Sequence, residues 1–124
     1  VNNKRPKNLD LLSIRFPLPA IVSILHRMSG VVLFLLIPVV LWAFDASLAS
    51  RDDFLSISSL LATPFAKFVV WLFLAPFLYH FAAGIRHLLM DLGVGDALKS
   101  GRTAAVVTLV SAFLLIILAG IYLW

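Results

Sequence analysis

Along the chain, hydrophobic positions do not alternate with polar ones but run together in three long blocks. Met28–Phe44, Phe68–Ile85 and Thr103–Trp124 contain no Asp, Glu, Lys or Arg and are 17, 18 and 22 residues long. A helix needs roughly 20 apolar residues to cross the hydrocarbon core of a bilayer, and Phe16–His26 adds apolar turns to the first block ahead of Arg27. None of the blocks has the period of two that a strand requires, and a three-stranded open sheet would leave unpaired edges in lipid. The pattern therefore predicts an all-α membrane protein, one domain over 1–124 with three transmembrane helices at about 20–46, 64–91 and 102–124. An N-terminal arm of about 19 residues precedes them, and Phe16-Pro17-Leu18-Pro19 reads as a helix breaker that docks this arm at the interface. Pro38 and Pro76 fall inside the first two spans, and Asp91-Leu92-Gly93-Val94-Gly95 ends the second.

Composition agrees. The 124 residues are 62% hydrophobic and 13% charged, with a mean hydropathy of +1.06, whereas a soluble domain keeps about a quarter of its residues charged. No block reads as a cleavable signal core, since each is longer than one and lies inside the chain or at its end. The net charge of +4 has no basic run with interleaved aromatics, so it reads as topology rather than nucleic-acid binding. Lys4, Arg5, Lys7 and Arg15 precede span one and Arg27 opens it, while Arg86, Lys99 and Arg102 fall between spans two and three. The intervening Asp45–Ala66 connection has only Arg51, offset by Asp45, Asp52 and Asp53. Lysine and arginine collect on the cytoplasmic side, so the N-terminus and the 86–102 connection are expected in the cytoplasm and the C-terminus in the periplasm. Cysteine is absent, which excludes disulfides, Cys-ligated iron–sulfur clusters and covalent heme attachment in this chain.

Two stretches carry candidate chemistry. At the start of span one, Ser23, Arg27 and Gly30 lie within about 60° on a helical wheel, putting a hydroxyl, a guanidinium and a flat surface on one stripe. Ser23 taken alone is a helix hydroxyl bonded to backbone, and Arg27 alone a snorkelling anchor. In span two, His80, Gly84, His87 and Asp91 form a stripe of similar width, with Arg86 pointing off it. His80 follows Lys67 by 13 residues, about 20 Å of helix, and so lies deep in the bilayer. An imidazole at that depth needs a partner and reads as functional; the bland reading is a histidine that bridges two helices. Gly84 removes bulk so that a planar group or a neighbouring helix can approach, and His87 and Asp91 read as wet residues at the helix end. Neutral imidazole at this depth suits b-type heme, with cationic groups nearby for the propionates. His26 and His87 sit at the boundary, so bis-histidine ligation would draw its second ligand from another subunit.

Arg5-Pro6-x-x-Leu9, Ser23-Ile24-x-His26-Arg27-x-Ser29-Gly30 and His80-x-x-x-Gly84-x-Arg86-His87-x-x-x-Asp91 together resemble the cytochrome b subunits of succinate dehydrogenase, the larger membrane anchor of complex II. Asn8-Leu9-Asp10 and Ile14-Arg15-Phe16-Pro17 bring the bacterial type nearest, and the resemblance covers essentially the whole chain. It implies a heme-binding bundle shared with a second membrane-anchor subunit, in the bacterial inner membrane. An iron–sulfur subunit docks on the bundle, and a flavoprotein subunit docks through it; together they link the tricarboxylic acid cycle to electron transport. Carried over by position, His80 becomes an axial ligand of one heme b. Ser23 and Arg27 line the site of the substrate ubiquinone. His26, Arg27, Gly84 and His87 fall in the heme and propionate neighbourhood. Arg86 and Asp91 acquire no role.

The residues are compatible with that assignment. A quinone carbonyl gains negative charge on reduction; the Ser23 hydroxyl can donate to it and Arg27 stays charged beside it. Nothing in the chain could oxidise succinate, so it is a non-flavin subunit of the enzyme and not an enzyme alone. The alternative within the class is a quinol:fumarate reductase anchor using menaquinone. A cofactor-free anchor would use His80 only to bridge helices. A transporter would place a carboxylate deep in a span, and the three uncharged blocks have none.

Overall fold

In the computed structural model, residues 15–94 and 97–124 are described, without the side chains of residues 98 and 99. They form four helices: α1 (Leu18–Ala49), α2 (Arg51–Leu61), α3 (Pro64–Asp91) and α4 (Leu98–Leu123). The first, third and fourth are long and apolar enough to cross a membrane. α1 begins with proline in its first turn, where the missing N–H has no helical acceptor to lose. Pro38 and Pro76 are accommodated inside α1 and α3.

The connections are built from local chemistry. Ser50 caps α2 by accepting from the Asp53 N–H at 3.0 Å, and Asp52 and Asp53 sit in the first turn, where carboxylates complement the helix dipole. Thr63 accepts from the Ala66 N–H at 3.3 Å and starts α3 with Pro64 behind it. α3 ends in a Schellman turn: Val94 N–H donates to Leu89 O at 2.9 Å and Gly93 N–H to Met90 O at 2.9 Å. Gly93 has φ of 80°, a left-handed conformation that an L side chain resists.

α3 runs antiparallel to both α1 and α4, its main packing partners. Apart from Arg86, the buried positions carry small or medium side chains. On α4, Gly101, Ala105, Thr108 and Ala112 make an inward stripe spaced four, three and four, letting helices approach closely where lipid gives no hydrophobic drive. Val22, Ala83 and Ala105 form the tightest cluster, with Leu18, Tyr79 and Leu109 around it. Large side chains point out, Phe34 and Trp42 both 71% exposed, as expected where the solvent is hydrocarbon. At the other end of the bundle Trp71 Nε1 donates to Ile116 O at 2.9 Å, over Gly120, where a Cβ would lie 3.0 Å from that nitrogen. Tyr79 Oη donates to Val22 O at 2.8 Å and ties α3 to the start of α1.

Candidate functional site

The face that α1 turns to α3 includes Val22, His26, Ser29 and Gly30; α3 answers with Tyr79, His80, Ala83, Gly84 and His87. All three histidines of the chain meet there. The rings of His26 and His80 stack with centroids 4.1 Å apart and an 18° tilt. His87 lies against the same His26 ring at 4.9 Å and 34°. His26 stands between the other two because α1 runs opposite to α3, so one α1 side chain reaches across the two turns separating His80 from His87. His87, expected as a wet residue at the helix end, is half-buried against His26.

His80 is held by two groups of α1. Its Nδ1 lies 3.0 Å from Ser29 Oγ and 3.1 Å from the His26 carbonyl oxygen. Ser29, 5% exposed, donates its own proton to that carbonyl at 2.8 Å. A carbonyl only accepts, and a hydroxyl whose proton is committed offers its lone pairs. A His80 ring protonated on Nδ1 satisfies both contacts and leaves the Nε2 lone pair free. A metal-binding histidine has this arrangement: one nitrogen donates to a carbonyl, fixing tautomer and ring orientation, and the other faces the metal. Stacking on His26 covers a ring face and leaves the in-plane lone pair clear. Beside it, His26 Nε2 and His87 Nε2 are buried without a hydrogen-bond partner among the described residues. Buried polar groups are normally paired, and two orphaned nitrogens next to a prepared ligand fit an absent polar group such as a heme carboxylate. Among the described residues, no three His, Cys, Asp or Glu side chains converge on a bare metal ion.

Room for the His80 ring comes from Gly30, where a Cβ would stand 3.0 Å from His80 Cε1. At Gly84, the glycine singled out from the sequence, a Cβ would meet His26 Nε2 at an ordinary 3.6 Å. Ser23 and Arg27 share a stripe roughly 100° around α1 from the His26–Ser29 face, with Ser23 half-buried and Arg27 exposed. The structure gathers His26, His80, Gly84 and His87, then, and leaves Ser23 and Arg27 at the rim. Ser29 and Tyr79 are additions that sequence reasoning passed over. Ser29 sits at i+3 from His26, a spacing that could have flagged it.

Residues 1–119 match the family model for the succinate dehydrogenase/fumarate reductase transmembrane subunit. The chain belongs to this family. It is 43% identical to the succinate dehydrogenase cytochrome b556 subunit of Coxiella burnetii over the full length of both chains. The corresponding subunit of Rickettsia prowazekii is 30% identical, over 95% of this chain and 92% of its own. The mitochondrial cytochrome b560 subunit of succinate dehydrogenase from Dictyostelium discoideum is 32% identical, over 86% of this chain and 58% of its own. Members of the family are transmembrane subunits, in keeping with three apolar helices here. The family signature spans both stretches that build the histidine cluster.

Proposed function

We propose that this chain is the cytochrome b anchor of a succinate:ubiquinone oxidoreductase of the bacterial inner membrane, with its N-terminus in the cytoplasm. His80 Nε2 would hold a single heme b, together with a histidine of a second anchor subunit. What supports this reading is the hold of Ser29 and the His26 carbonyl on His80 Nδ1, in a chain of this family. The heme supplies a one-electron carrier within the membrane. His26 and His87, whose Nε2 atoms have no hydrogen-bond partner among the described residues, would form the neighbourhood of its propionates, with Gly84 under the His26 ring and exposed Arg27 as the cation that meets them.

Ser23 and Arg27 receive the quinone at the rim, toward the iron–sulfur subunit that the flavoprotein feeds. The Ser23 hydroxyl donates to a ring carbonyl, and the fixed charge of Arg27 stabilises negative charge growing on that oxygen. Quinone reduction consumes protons as well as electrons, and a site at the cytoplasmic boundary has both within reach. Replacement of His80 by Ala in the whole complex tests the heme assignment. The assembled complex should lose its b-type bands in the reduced-minus-oxidised spectrum. Full bands with all subunits present would remove His80 as a ligand.

A further inference from the structure

Arg86 is 5% exposed and lies on a different face of α3 from His80. Six residues separate it from His80, which places it about 120° around α3, toward α4. Its Nε is buried without a hydrogen-bond partner among the described residues, and the ionisable group that feels its charge there is the Tyr79 phenol. Removing a guanidinium from water without a counter-charge is costly, so the position calls for an anion that the described residues do not provide. Arg86 lines a cleft of about 270 Å³ between α3 and α4, with Thr108 and Ser111 as the other polar groups. Thr108 spends its proton on Ala104 O at 2.8 Å, which leaves Arg86 as the group that draws negative charge.

The shape of the cleft limits what the anion belongs to. Its outer walls are apolar and exposed, with Phe81 at 56%, Ile85 at 45% and Val107 at 57%, so it opens on lipid rather than on water. From Thr108 it extends to Leu115 on α4, seven residues or about 10 Å of helix. Arg86 lies five residues before the end of α3 at Asp91, about 7.5 Å inside the helix terminus, which is where headgroup gives way to acyl chain. A free phosphate would have no use for the long apolar wall, and an uncharged lipid none for the cation. Basic pockets between transmembrane helices near a membrane surface select anionic lipid headgroups. We propose that the α3–α4 cleft holds one anionic phospholipid, its phosphate on the Arg86 guanidinium and one acyl chain along the groove toward Leu115.

The test uses the whole complex, purified in mild detergent, stripped of loose lipid and exposed to phosphatidylglycerol or phosphatidylcholine. Native mass spectrometry counts the phospholipids retained. The unmodified complex should keep one phosphatidylglycerol that Arg86→Gln holds at least tenfold more weakly, with heme bands unchanged. Ser111→Phe fills the groove and leaves the charge in place, and it should release the same lipid. If Arg86→Gln fails to assemble, Ser111→Phe decides alone. Equal retention by the unmodified complex and the variants overturns the proposal, as does equal retention of phosphatidylcholine. Release of the lipid by millimolar inorganic phosphate overturns it too, and makes the cleft a free-phosphate site.

Discussion

At the scale of single residues, the decisive contacts are those that orient His80. A methyl group at position 30 would come within 3.0 Å of His80 Cε1, against 3.6 Å for the methyl at 84 and His26 Nε2. The first distance forces the ring to move and the second is ordinary van der Waals contact. Gly30→Ala should therefore lower the heme content of the purified complex well below that of Gly84→Ala, read from the b-type bands per assembled complex. The reverse order would mean that the histidine cluster is arranged differently. Arg27 stands apart from this lock, exposed at the rim. Its replacement by Ala should slow quinone reduction by about 100-fold, the usual cost of removing a charge-stabilising donor. Succinate oxidation with a soluble dye acceptor should be nearly unaffected. Loss of both activities together would indicate failed assembly.

Among the elements, α2 and the α3–α4 turn show what local sequence encodes. Phe54, Ile57 and Leu61 are spaced three and four apart and line the contact with Ala43, Phe44 and Ser47 of α1. Arg51, Asp52 and Asp53 gather at the start of the same helix. This amphipathic pattern is that of a helix at a membrane surface. The α3–α4 turn depends on Gly93 at φ 80°. Gly93→Ala should cost on the order of 1 kcal/mol through the left-handed backbone, seen as a lower thermal midpoint of the purified complex. Gly93→Asn should recover part of the loss, since Asn tolerates that conformation better. Equal stability of all three would show that the turn can rearrange.

For the whole molecule, the absence of cysteine makes the orientation directly measurable. Ser59 in α2 and Ser100 near the start of α4 are both exposed and lie at opposite ends of the bundle. In closed vesicles, Ser100→Cys should react with a membrane-impermeant thiol reagent only from the cytoplasmic side and Ser59→Cys only from the periplasmic side. The opposite labelling would invert the topology and carry the quinone rim to the wrong face for an iron–sulfur partner. Packing at this scale rests on small side chains. Ala105→Leu would push a branched side chain into a fully buried position against Val22 and Ala83, at a cost of about 1–3 kcal/mol.

The sequence by itself determined that the chain lives in lipid and crosses it three times. Hydrocarbon thickness and the need to satisfy every backbone group leave a long uncharged block one option. It also put an imidazole at depth in the second span. Which histidines meet is another matter, because a helical wheel orders residues around one axis and says nothing about how two axes are rotated toward each other. Only the antiparallel packing of α1 on α3 brings His26 between His80 and His87, makes Gly30 the tight glycine and sets Ser29 against Nδ1. Likewise Arg86 reads as an ordinary cytoplasmic charge along the chain, and becomes a buried cation, its Nε without a hydrogen-bond partner among the described residues, only when α4 closes over it. Burial and hydrogen-bond pairing belong to the space between helices, and that space exists only once they pack.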